Sequence, residues 1–177
     1  MKLIRNKKIH RKAFTLIEII IYVALLGIFL SAATISLWDI ILGNVKSSVQ
    51  QEVQENLRYS SYRILYEIRS ALGVNASSDF GVNLADDSAS TLSLAASSPD
   101  NPVEIRVQNG LLQIKRGALG WGNVTGSAVE VTTLTFSEIN DPAAHSVSFI
   151  LTIRYINPSG RSQWEKEATF QGSATLR

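Results

Sequence analysis

One carboxylate, Glu18, stands in a run that is otherwise apolar from residue 13 to residue 38, apart from Thr15, Ser31, Thr34 and Ser36. Hydrocarbon or a packed core accepts a charge only beside an opposite one, and a lone carboxylate costs roughly 2.5–3.5 kcal/mol on insertion scales. Either a cation meets Glu18, or its side chain reaches up to lipid headgroups. Other residues are candidates for different chemistry. His145 is the only histidine after residue 10, with Asp141 and Ser146 close by in sequence. Nearness in sequence does not make a proton relay, so we expect a loop histidine ahead of a strand. The pairs Asp86-Asp87 and Asp100-Asn101 are possible cation ligands, but they lack the regular spacing of a calcium loop. They read as solvated loop acids, and neither a metal nor a cofactor is expected. Lys115, Arg116 and Trp121 form a small basic-aromatic group with too few charges to hold nucleic acid. Asn75 and Asn123 each open an Asn-x-Ser/Thr glycosylation pattern, which is common by chance. With no cysteine in the chain, thiol catalysis, thiolate metal sites and disulfides are excluded.

The elements that position Glu18 come next. The net charge of +2 hides a polarity: residues 1–13 carry six basic groups and no acid, and the remaining 164 residues sum to −4. The basic head therefore sets the pI, and it says nothing for a nucleic-acid surface on the folded part. Residues 19–38 are free of charge. As a helix they span ~30 Å, about one hydrocarbon core. With the basic cluster before the span and Asp39 after it, the N-terminus is expected in the cytoplasm and the rest exported. A secretory signal would be shorter and would carry its small-residue cleavage site after the apolar run. Here Ala13 lies before it.

Val45, Val49, Val53 and Leu57 recur at four-residue spacing, and Ile64, Ile68 and Leu72 continue the stripe. One helix from about Phe14 to Leu72 follows, its first part apolar all round and its second part amphipathic. Residues 74–102 are rich in Ser, Ala and Asp and read as a surface connection with one short strand at 91–95. Beyond them the period changes to two. "VEIRVQNGLLQIKR" is a hairpin around Asn109-Gly110, and segments 128–139, 146–156 and 162–176 are further strands. No βαβ alternation occurs, so the expected class is α+β with an antiparallel head over residues 103–177.

The stretch "KAFTLIE" after a short basic leader resembles the class III signal of type IV prepilins and type II secretion pseudopilins. That resemblance implies a cleaved leader over 1–13, cut by a prepilin peptidase between Ala13 and Phe14, and N-methylation of Phe14. It implies a transmembrane and polymerisation helix over 14–38, continued amphipathically over 39–73. Glu18 would pair with the Phe14 amine of a neighbouring subunit and set axial register. Most of the family has Gly where this chain has Ala13, another small residue. Gly27 matches a glycine common in pilin helices, and Ala24, Gly27 and Ser31 would allow close helix packing. Many major pilins carry proline where this chain has Ile35. The running order of helix, hairpin, strands and tail resembles the J-type minor pseudopilin and W-type minor pilin group.

The implied partners are other pilins or pseudopilins, the peptidase/N-methyltransferase, an inner-membrane assembly platform and, before assembly, membrane lipid. The function so implied is structural: a minor subunit that initiates or caps a type IV pilus or a type II secretion pseudopilus. The alternatives are a binding minor pilin, adhesive or for DNA uptake, and the major pilin of a small system. An enzyme domain on a signal anchor is disfavoured by the poverty of histidine and the lack of cysteine.

Overall fold

The computed structural model describes residues 15–141, 144–157, 160 and 164–177, without the side chains of 140, 141 and 144. Ala13 and Phe14 lie outside the described residues. The chain divides into two units, Met1–Gly43 and Asn44–Arg177. Helix α1, Leu16–Ser70, supplies the described part of the first unit and opens the second. Thr15 caps it: the hydroxyl and the carbonyl of Thr15 both accept from the Glu18 N–H, at 3.4 and 3.1 Å. Such a cap satisfies a donor that the first helical turn leaves open.

Up to Gly43 almost every side chain of α1 is exposed, including Ile19, Leu26, Phe29 and Ile35. The helix is long and apolar enough to cross a membrane. From Asn44 onward it buries one stripe: Val49, Val53, Leu57, Ile64 and Ile68. This is the three- and four-residue spacing read from the sequence.

The second unit packs that stripe on two antiparallel sheets. In chain order the strands are β1 (Gly73–Val74), β2 (Leu92–Ala95), β3 (Val103–Gln108), β4 (Leu111–Arg116), β5 (Gly122–Asn123), β6 (Val129–Asp141), β7 (Ala144–Tyr155) and β8 (Glu167–Thr175). The first five form one sheet in sequential order, and β6-β7-β8 form the other. The strands bury alternate residues, such as Val103, Ile105 and Val107 on β3 and Val147, Phe149, Leu151 and Ile153 on β7. A register shift between Val131 and Thr133 on β6 reverses the alternation. Before it Val129 and Val131 are buried, and after it Leu134 and Phe136. One inserted residue moves a side-chain set to the other face, so the shift keeps the threonines of "TTLTF" out of the core.

Segment 74–102, expected as a surface connection, contributes more than that. It supplies β2, which lies between β1 and β3, and the fully buried Leu84. Asn83 fastens it to the edge of β6: its amide accepts from Leu134 N at 2.8 Å and donates to Thr132 O at 3.2 Å. Its Ser- and Asp-rich composition disguised a segment tied down by side-chain-to-backbone bonds rather than by apolar mass.

The β3–β4 hairpin closes over Asn109 and Gly110, both with positive φ (53° and 73°), as a type I′ turn demands. A Cβ on Gly110 would also lie 3.1 Å from Glu130 Cβ. Gly110→Val is therefore expected to destabilise the second unit by about 2 kcal/mol, from strain and crowding together. Chemical denaturation followed by circular dichroism measures this, and an unchanged midpoint would remove the turn from the account.

Candidate functional site

Glu18 lies in the first turn of α1, half-buried, between exposed Ile17 and Ile19. Its carboxylate has no hydrogen bond or ion pair among the described residues, although its backbone N–H is held by Thr15. The positive end of the helix dipole favours an acid there, by typically 0.3–1 kcal/mol. That gain is smaller than the cost of a lone carboxylate in hydrocarbon. Among the described residues the charge thus stays without a counter-charge.

Ala24, Gly27 and Ser31, at spacings of three and four, fall on one face of α1. All three are exposed. Ser31 Oγ donates to Gly27 O at 2.8 Å, so its hydroxyl is satisfied within the helix. Beyond its chain neighbours and the helix's own backbone, no described atom comes within 4 Å of a Cβ built on Gly27. The face is open at the glycine, where another helix backbone could approach closely.

The family model for the prokaryotic N-terminal methylation motif matches residues 8–34. The chain carries the N-terminal methylation motif of type IV prepilins and pseudopilins. The match spans residues 8–13, Glu18 and the small-residue face together, and such a motif implies processing by a prepilin peptidase and pilin-type assembly. No curated protein and no solved structure matches the chain. Proteins with this motif are structural subunits, and the long apolar helix fits membrane anchoring.

The other groups singled out in the sequence sit in strands, turns and local ion pairs. His145 is exposed and lies inside β7 rather than in a loop. The Ser146 hydroxyl is 3.0 Å from Thr175 Oγ1 across the sheet, and Asp141, whose side chain is not described, ends β6 opposite Ala144. The acids serve as local braces. Asp86 accepts from Asn83 at 2.9 Å, while Asp87 accepts from Ala89 N and Ser90 Oγ. The Ala89 N–H and then the Ser90 hydroxyl hold the Asp87 carboxyl below the usual carboxylate range. A lowered value stabilises the fold above the ordinary carboxylate pKa and is lost as pH falls through the folded one. Asn101 accepts from Ala96 N. No cluster of metal-ligating side chains occurs among the described residues.

The basic group also separates. Lys115 pairs with Glu104 at 2.8 Å and lies 5.7 Å from the Trp121 ring, over which the Arg106 guanidinium stacks at 3.8 Å. Arg116 turns inward. Its NH2 meets Glu67 Oε1 at 2.7 Å, and Glu67, whose side chain is 1% exposed, also meets Arg63 at 3.0 Å. The hydrogen bond to Glu67 raises the Arg116 pKa above its already high ordinary value, so the guanidinium stays charged at any physiological pH. This pair escaped the sequence reading. The signal was present: Glu67 falls three residues after Ile64 and one before Ile68, on the apolar stripe, where a charge needs a partner just as at Glu18.

Proposed function

We propose that this prepilin is a minor subunit that initiates or caps a type IV pilus or a type II secretion pseudopilus. The observation that carries the proposal is the Glu18 carboxylate, without a counter-charge among the described residues, on an exposed apolar helix inside a methylation motif. Cleavage between Ala13 and Phe14 creates an α-amino group four residues before that carboxylate. In the inserted monomer both groups reach headgroups. In a filament, the Phe14 amine of one subunit meets the Glu18 of its neighbour and fixes axial register. The face of Ala24, Gly27 and Ser31 lets adjacent helices close up as lipid is replaced by helix contact. The protein stands in the inner membrane with its N-terminus in the cytoplasm and residues 44–177 exported, and it is handed to the filament by an assembly platform. It performs no catalysis. The order of helix, hairpin, long β-meander and tail supports the J-type or W-type minor group over a major subunit.

Processing supplies the test. Co-expressed with a prepilin peptidase, the chain is expected to lose residues 1–13, remain in the membrane fraction and begin with N-methyl-Phe14. Intact-mass and N-terminal analysis read this directly. A mature end after residues 31–33 would instead mean ordinary secretion and would refute the proposal.

A further inference from the structure

Long sheet edges are liabilities, because their unpaired N–H and C=O groups template other strands. In this prepilin β1 and β5 end their sheet with two residues each. The outer side of β6 is covered by segment 81–84, through Gly81 N to Phe136 O and Leu84 N to Leu134 O, both at 2.8 Å. The outer side of β8 is different. Lys166 O accepts from Tyr155 N before the strand, and Leu176 N donates to His145 O after it. Between these bonds the register with β7 is unbroken. Antiparallel pairs alternate between bonded and non-bonded residues, so the even-numbered residues face β7. The N–H and C=O groups of Glu167, Thr169, Gln171, Ser173 and Thr175 therefore point outward. No backbone bond meets them among the described residues. The nine-residue strand contains no Lys, no Pro and no bulge, the usual devices that blunt an edge.

A second feature lies beside this edge. A groove of ≈ 280 Å³ runs between β8 and α1, lined by Gln54, Leu57, Arg58, Ser61, Tyr62 and Phe170. A strand added to β8 would direct alternate side chains over this groove. Arg58 has no ion pair among the described residues.

We propose that the outer edge of β8 takes up an extended segment of a partner polypeptide as a fourth strand of its sheet. The segment places one large apolar side chain over Leu57, Tyr62 and Phe170 and a carboxylate beside Arg58. Main-chain bonds supply affinity, and the groove supplies selectivity. A second copy of this chain fits less well. Pairing β8 with itself antiparallel about Gln171 sets Gly172 of the copy opposite Phe170, which leaves the groove empty and adds no acid near Arg58.

The test uses the full chain in dodecyl maltoside and a fluorescein-labelled nine-residue peptide. The peptide alternates threonine with valine, with one phenylalanine and one aspartate at valine positions. Its twin is N-methylated on the amides of one edge, which removes main-chain donors and leaves every side chain in place. Fluorescence anisotropy is expected to show binding in the micromolar range, weakened at least about tenfold by N-methylation. Gln171→Pro removes only an outward N–H, so it should weaken binding similarly while the circular dichroism spectrum stays unchanged. Arg58→Ala should weaken the aspartate peptide selectively. Equal binding of the N-methylated twin would overturn strand addition, and no binding at about 1 mM peptide would overturn the site. A chain that dimerises through β8, and becomes monomeric on Gln171→Pro, would give the edge to a second copy and overturn the proposal as well.

Discussion

Arg116→Met is expected to destabilise residues 44–177 by about 3 kcal/mol, because it strips the better partner from a buried carboxylate. The reasoning rests on Glu67 rather than on Arg116. The Arg116 side chain is 26% exposed, but that of Glu67 is 1% exposed and cannot turn to water. Arg63 stays at 3.0 Å from the same oxygen, which holds the loss at the low end of the range for broken buried pairs. The intact pair is not strongly stabilising. Arg116 Nε is buried with no hydrogen-bond partner, and the desolvation of both charges opposes their attraction. The double change Glu67→Leu with Arg116→Met should accordingly recover to within about 1 kcal/mol of the parent. Urea denaturation of a fragment beginning at Asn44 measures both, since every buried apolar residue among the described residues lies between Val49 and Ala174. A loss below about 0.5 kcal/mol for Arg116→Met would mean that water already reaches Glu67.

Glu18→Leu should leave membrane level and cleavage unchanged and reduce entry into filaments more than about tenfold. The span becomes more apolar, so insertion does not suffer. The loss falls on assembly, where the Phe14 amine of the neighbour is left without its counter-charge. The Thr15 cap offers a rival explanation, since Thr15-x-x-Glu18 has the form of a capping box and half of it is formed in the structure. Glu18→Gln separates the two roles: glutamine serves a capping box but carries no charge. If charge pairing sets register, Glu18→Gln fails in assembly as Glu18→Leu does. If it assembles like the parent, capping is the role of Glu18 and the register proposal falls. Incorporation into sheared filaments, scaled to the membrane level, gives the readout.

The sequence by itself determined the elements whose signal is periodic or punctuated. The charge-free run of 19–38 and the stripe from Val49 to Ile68 specify one helix, apolar all round and then amphipathic, because burial follows the 3.6-residue period. Asn109-Gly110 between alternating runs specified the first hairpin, because few other dipeptides enter positive φ twice. Glu18 was legible because a charge in an apolar run conflicts with its surroundings. The tertiary structure alone decided what long-range pairing controls. Residues 74–102 carry little apolar mass, so nothing local revealed that Asn83 would reach the edge of β6 at Thr132 and Leu134. The shift after Val131 divides the alternation of β6, with Thr132 as the extra residue beside the step from Thr152 to Ile153 on β7. Glu67 and Arg116 stand 49 residues apart, and only the packing of α1 on β4 turns a charge on an apolar stripe into an ion pair. Local period and turn chemistry act within a few residues, whereas partners across sheets are selected by which surfaces the whole chain can bury together.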